Sequence, residues 1–496
     1  MKRIITQTIF LWFCLLLCAS QYVVAQVPDT SQNPWGGTDP LRADTCQSTW
    51  ISDSSIGENT SIVRGSGYYK VELVQSWNYE TGDKPHIFII TKYGNTVEKV
   101  IKTYFNLSGC DISITDMRLF HGDCYFCGTI KYPFADVTCG IVGRFSVDSV
   151  YSGSGNIWVH NARETSQLSR LAISEAVINN KTTTVVSIIG KQSDGNTECM
   201  LELTYDGSGM WKKRVDKVTY PDRILFSDLL NTGDSLTLLA QFKCANQDFP
   251  NSSQYDFSHQ IFLLDRFGLG GCSTSYGASS PYFMMQYLMP LGDNCSYHYS
   301  YAPMRLFHID DLNHKFGVVY GVRKNTSSFG GMRLFFFENA RECDSNLYYL
   351  TGRHPVVKDV GNLYKRNYLF VISSDDSNTN GVLSSPVIGG ASHDVTLLRA
   401  PSYSLSSVAQ RRLGDYIHIT GHNGDANFMR YEQYGLSFAD PTCFNKVSRD
   451  YTVFPRRRAD LLVVRWEFGQ QDVVDWKSAE VFPLEPKKVP VCQKCP

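Results

Sequence analysis

The sequence predicts an all-β fold in which one small antiparallel sheet is reissued several times, and three observations carry that prediction. The pentapeptide Met117-Arg118-Leu119-Phe120-His121 returns as Met304-Arg305-Leu306-Phe307-His308. Each copy is followed by an apolar run reaching glycine, Cys124-Tyr125-Phe126-Cys127-Gly128 and Phe316-Gly317-Val318-Val319-Tyr320-Gly321, and then by a further strand-like run at 140–145 and 332–337. From about Tyr68 onward, short runs rich in Val, Ile, Tyr and Phe alternate with Gly, Asn, Asp and Ser turns, and hardly any stretch has helical periodicity.

Taken in order, residues 1–25 read as a signal peptide. Lys2 and Arg3 precede an apolar run from Ile9 to Leu17, and Val23-Val24-Ala25 precedes Gln26, the expected cleavage point. The run is too short to span a bilayer, and no other stretch approaches the roughly 20 apolar residues that a membrane helix needs. Residues 26–66, rich in Pro, Gly, Asp and Thr at their start, read as an extended leader. Repeat units then begin near Tyr69, Met117, Leu171, Ile224, Met304, Tyr368 and Ser407. The clearest starts, Met117, Leu171 and Ile224, lie 54 and 53 residues apart, a spacing that suits a four-stranded blade. Residues 67–470 are therefore expected to form a β-propeller of about seven (six to eight) four-stranded blades. A ring must close on itself or leave unpaired edges, and the apolar run Leu461 to Phe468 is expected to lie beside the unit near Tyr69. Residues 471–496 are read as a tail carrying Cys492-x-x-Cys495.

The unit Asp116-Met117-Arg118-Leu119-Phe120, Tyr125-Phe126-Cys127-Gly128, Gly140-Ile141-Val142-Gly143-Arg144-Phe145 resembles the repeat of exported propeller-type proteins of Gram-negative bacteria, a group without an assigned activity. The resemblance implies the fold and export to the periplasm, cell surface or extracellular space. It brings no catalytic residues with it.

With 47 basic and 48 acidic side chains and no long run of either sign, nothing favours nucleic acid or an anionic membrane as partner. Fifteen cysteines, of which Cys14 and Cys18 fall in the signal, leave an odd number. Cys124-x-x-Cys127 has half a zinc-site spacing, but residues three apart on a strand face opposite ways, so a core role is expected. Asp376-Ser377-Asn378-Thr379-Asn380-Gly381 follows the first half of a calcium loop, with Asp376, Asn378 and Asn380 as oxygen donors; position twelve is Val387 rather than a bidentate acid. No cofactor is expected, calcium being the alternative. Ser193-Asp194-Gly195-Asn196-Thr197 is read as a turn, and His418, His422 and Asp425 as a solvated hairpin tip. Gly-x-Ser-x-Gly, His-Glu-x-x-His and phosphate-loop patterns are absent from the sequence.

Where the repeat rhythm breaks, between Gly268 and Tyr301, tyrosines cluster. Loops that interrupt a rigid scaffold commonly bind, and tyrosine suits stacking on sugars or peptide surfaces. Tyr282, Tyr287, Tyr297, Tyr299 and Tyr301 are the candidate ligand-binding residues. The function expected is an exported, non-enzymatic binding or assembly module with a protein or glycan partner. The alternative is a carbohydrate-active hydrolase or lyase whose carboxylates converge on the channel from several blades.

Overall fold

The computed structural model describes residues 110–132, 137–178, 180–218, 304 and 469–484 and, elsewhere, the strands named here. Among the described residues most strands fall into antiparallel sets of neighbours in sequence, the first two joined at their outer edges into one sheet. The first set is Ser61–Gly65, Tyr69–Gln75, His86–Tyr93 and Val97–Asn106; the second is Asp111–Phe120, Asp123–Tyr132, Val137–Ser146 and Ile157–Ala162. The third is Thr165–Ile178, Lys181–Gln192, Glu198–Tyr205 and Trp211–Val218; the fourth is Ile224–Thr232, Ser235–Ala245, Tyr255–Asp265 and Tyr287–Leu288. The fifth is Arg305–Asp310, Lys315–Arg323, Phe329–Glu338 and Arg341–Thr351; the sixth is Val356–Leu363, Asn367–Ser373, Gly381–Pro386 and Val395–Arg399. The seventh combines Tyr403–Gln410, Ile417–Asn423 and Asn427–Gln433 with Ser48–Gly57 from the other end of the chain.

Sheets stack face to face, and among the described residues the interfaces of the first with the second, the second with the third and the third with the fourth set each hold their own core. Strand Asp123–Tyr132 shows why its sequence is an unbroken apolar run rather than an alternating one. Cys124, Phe126 and Ile130 pack with residues of the first set, while Tyr125 and Cys127 pack with residues of the third. A strand covered on both faces has no polar side to encode.

Local irregularity is repeated as well. Five first strands carry a register shift at the same place: between Ile114 and Asp116, Leu168 and Arg170, Phe226 and Asp228, Val357 and Asp359, and Leu405 and Ser407. A bulge re-aims the side chain that follows it. It also presses main chain onto the neighbouring strand, which accounts for two glycines. A Cβ on Gly128 would meet the Ser113 carbonyl at 2.0 Å, and one on Gly190 the Gln167 carbonyl at 2.2 Å. These glycines therefore do not end their strands, as their sequence suggests; the strands run through to Tyr132 and Gln192.

First strands of successive sets lie side by side, from Ser61–Gly65 through to Tyr403–Gln410, and the last packs again on Ser61–Gly65. Outside them the chain returns along the far edges in reverse order. Phe444–Val447 pairs with the sixth set, Arg449–Asp450 with the fifth, Leu461–Leu462 with Met284–Met285, and Trp466–Glu467 and Asp472–Val473 with the third. Lys477–Leu484 then bridges the outer strands of the first and second sets, and Cys492–Gln493 pairs with Ser48–Gly57.

Several boundaries thus differ from the sequence reading. The segment 26–66 contains two strands, and the segment 471–496 contributes strands instead of a free tail, with Cys492 in one of them. The first set starts at Ser61 rather than Tyr69, and the sixth at Val356 rather than near Tyr368, because buried charges such as Arg64 and Asp359 interrupt the apolar signal of their first strands. Leu461–Leu462 and Trp466–Glu467 lie on Met284–Met285 and the third set; the strand beside the outer edge of the first set is Lys477–Leu484. Unpaired outer edges attract whatever strand can reach them, and the long return segment reaches nearly all of them.

Candidate functional site

Facing sheets share no main-chain ladder, so hydrogen bonds across their inner ends must come from side chains. The residues after four of the bulges, Asp116, Asp228, Asp359 and Ser407, supply them. Asp116 accepts from the N–H of Leu171 on the next first strand (3.1 Å) and of its own neighbour Met117 (2.9 Å). Asp228 does the same with Leu306 (2.8 Å) and Leu229 (3.0 Å), and Asp359 accepts from Val408 (3.2 Å). Arginines answer in the carbonyl direction. Arg64, Arg118 and Arg305 each donate Nε to a carbonyl of the following first strand, that of Met117 (2.8 Å), Leu171 (3.3 Å) and Lys358 (2.9 Å).

Arg64 is the most fully engaged. Nη2 donates to Asp116 at 3.0 Å, and Nη1 to Asp359 at 2.8 Å, to Ser407 Oγ and to its neighbour's carbonyl. Ser407 Oγ also accepts from the N–H of Val63, joining the seventh set to the first. Burial alone would push the Asp116 carboxyl up, but Arg118, Arg170, Arg64 and the Leu171 N–H outweigh it and hold it down to about 2. Asp359 is likewise lowered, Arg64 and Ser407 overcoming its burial.

Asp228 and Arg305 behave differently. Burial raises the Asp228 carboxyl, and the more distant Arg170, Arg305 and Arg118 do not compensate. Arg305 is pulled down to about 10, by burial first and then by repulsion from Arg170. Its Nε and Nη1 reach the carbonyls of Lys358 and Met304, yet among the described residues it forms no ion pair within 4.0 Å. Arg170 has one long contact, 3.8 Å to Asp116.

These groups open onto a cavity of about 430 Å³ at the inner strands, lined by Arg118, Arg170, Asp228, Arg305 and Asp359 with apolar neighbours such as Leu229 and Phe307. The Arg118 side chain is 35% exposed and that of Arg170 16%, so both are reachable from solvent. The volume suits a monosaccharide-sized group, and the chemistry on offer is recognition of negative charge by guanidinium groups.

Of the candidates named from sequence, Tyr282, Tyr297, Tyr299, Tyr301, Asp376, Asn378, Asn380 and Asp425 lie outside the described residues. Tyr287 falls in the two-residue strand paired to Ile261. His418 and His422 belong to one continuous strand, Ile417–Asn423, so the chain does not turn at Gly421. Cys124 and Cys127 are buried on opposite faces with thiols raised by burial, and cannot share a metal. Among the described residues no group of three His, Cys, Asp or Glu is placed to hold a metal. Asp194 Oδ1 accepts from the N–H groups of Asn196 and Thr197, which makes that segment an Asx turn.

The arginines and aspartates of the cavity were not among the candidates. A signal for them exists: Ile114-Thr115-Asp116-Met117, Leu168-Ser169-Arg170-Leu171, Phe226-Ser227-Asp228-Leu229, Val357-Lys358-Asp359-Val360 and Leu405-Ser406-Ser407-Val408 share one form. Two apolar residues flank two polar ones, and the second of them is buried in every copy but that of Arg170.

Comparison of the sequence with family models and with curated proteins finds no match. Among solved structures, the chain is similar to the β-propeller domain of the Trilobed protease from Pyrococcus furiosus, which has an open velcro topology. The TM-score is 0.35 and the identity 7%, over 77% of this chain and 98% of that one.

Proposed function

We propose that the protein is an exported, non-enzymatic binding module built on a seven-bladed β-propeller, with a ligand seated in the cavity at its inner strands. Seven strand sets whose first strands follow one another back to the start support the ring. Completion of the seventh set by Ser48–Gly57 supports closure through the chain's own ends. Calcium, if the protein takes it, belongs to the Asp376 segment and not to this cavity.

The observation that carries the binding reading is the state of the carboxylates. A glycosidase typically needs one protonated carboxyl as acid and one ionised carboxylate as nucleophile or base, both free to reach the substrate. Asp116 is fully buried and held down to about 2, Asp359 is tied to Arg64, Ser407 and Val408, and both oxygens of Asp228 accept main-chain N–H groups. All three are occupied in joining sheets. Asp228 alone favours the hydrolase reading, since its raised carboxyl could serve as an acid. Incubating the mature protein with a broad glycan panel should yield bound complexes and no cleavage products. Cleavage abolished by Asp228→Asn would establish the hydrolase instead.

A further inference from the structure

We propose that the cavity takes a singly charged oxyanion of its ligand, a carboxylate or a sulfate ester, between Arg170 and Arg305. This rests on the binding reading and specifies its chemistry.

The argument begins with charge. Arg118, Arg170, Arg305, Asp228 and Asp359 line the cavity, and Arg64 and Asp116 pair with members of that lining, so among these described groups four guanidinium charges face three carboxylates. Geometry says which guanidinium is left over. Asp116 contacts Arg64 at 3.0 Å, Arg118 at 3.5 Å and Arg170 at 3.8 Å, and Asp359 contacts Arg64 at 2.8 Å. Asp228, the carboxylate on the strand before Arg305, is turned onto Leu229 and Leu306. Among the described residues Arg305 is therefore a buried cation with carbonyl partners but no carboxylate within 4.0 Å, next to a second arginine that repels it. An uncompensated buried charge is costly, and strongly perturbed ionisable groups in a cleft are candidates for a functional site.

Charge also decides the class. One negative charge restores neutrality, which selects a carboxylate or sulfate ester over a doubly charged phosphate. Arg170, with its guanidinium engaged only by the 3.8 Å contact, can present a two-pronged face to it, and Arg305 Nη2 can add a third donor. The apolar wall of Leu229 and Phe307 would cover the uncharged part of the ligand.

Thermal denaturation of the mature chain with sodium acetate, sodium methanesulfonate and glucose, at ionic strength matched with chloride, tests this. Saturable stabilisation by acetate, by methanesulfonate or by both is expected, and the stronger of the two identifies the oxyanion; glucose alone should do nothing comparable. Arg305→Gln and, separately, Arg170→Gln should weaken the effect roughly tenfold, with Arg305→Lys retaining part of it. Arg170 is partly exposed, so Arg170→Gln keeps the test open should Arg305→Gln fail to fold. No saturable effect from either anion, or an effect unchanged in both glutamine variants, overturns the proposal. That failure leaves the non-enzymatic reading standing, which falls only if a glycan is cleaved.

Discussion

Arg64 and Arg305 sit in first strands well apart in the chain and use the same main-chain contacts. Each sends Nε to a carbonyl of the next first strand and Nη1 to the carbonyl just before it. What differs is the acid. Around Arg64, Asp116 and Asp359 both turn toward the guanidinium, and the three groups form a closed ionic joint. Around Arg305 the acid of the following first strand, Asp359, pairs with Arg64 instead, no carboxylate among the described residues comes within 4.0 Å, and the guanidinium opens on a cavity. A repeated scaffold can thus turn a joint into a candidate site by giving one carboxylate to a different arginine.

Removing each arginine should separate the two roles most widely. Arg64→Ala strands two carboxylates whose side chains are 0% and 9% exposed, and a broken buried pair of this kind costs about 3–5 kcal/mol. Arg305→Ala loses two hydrogen bonds to carbonyls but also relieves burial and repulsion, so a loss of about 1 kcal/mol is expected. Urea titrations of both variants decide it. Equal losses would mean that Arg305 is another structural joint.

The aspartates sharpen the contrast through pH. Asp116 is lowered from 3.8 to about 2, so its contribution is present above its ordinary value and is lost as pH falls through about 2; it amounts to about 2 kcal/mol. Asp228 is raised, so its contribution has the opposite sign: present below the ordinary carboxylate range and lost as pH rises through its folded value. Stability measured from pH 6 to pH 2 should therefore fall less steeply in Asp116→Asn than in the unaltered protein, and more steeply in Asp228→Asn. Parallel curves for the two variants would contradict the difference between the acids.

Much of the fold was legible because several second strands carry a nearly unbroken apolar stretch, as strands covered on both faces tend to. The runs at Cys124–Gly128 and Val185–Gly190 are visible without a structure. First strands were harder to read. Asp116, Asp228 and Asp359 look like turn residues in the sequence, yet each is buried mid-strand after a bulge. The same confusion hid the site, since its charges lie one per sheet, about 50 residues apart, where no local motif links them. The return segment was illegible for another reason: pairs such as Arg449–Asp450 and Trp466–Glu467 are too short to have a period, and only the open edges they meet make them strands.

The smallest expected effect lies where the seventh set meets the first. Here the residue after the bulge is Ser407, at the place held by Asp or Arg in the second, third, fourth and sixth sets. A carboxylate there would stand against Asp359, with which the Ser407 hydroxyl forms a short hydrogen bond, and two buried anions in contact repel. A hydroxyl avoids this, because it donates to Asp359 while accepting from Val63 N–H and from Arg64. Ser407→Ala would leave the Val63 N–H without its 3.2 Å acceptor and remove one donor from Asp359, a loss of about 1–2 kcal/mol. Because that change reaches the cavity only at Asp359 and leaves Arg170 and Arg305 untouched, acetate should stabilise the variant as much as it does the unaltered protein. A weakened acetate response would show that the two regions are coupled, and that joint and site are not separable after all.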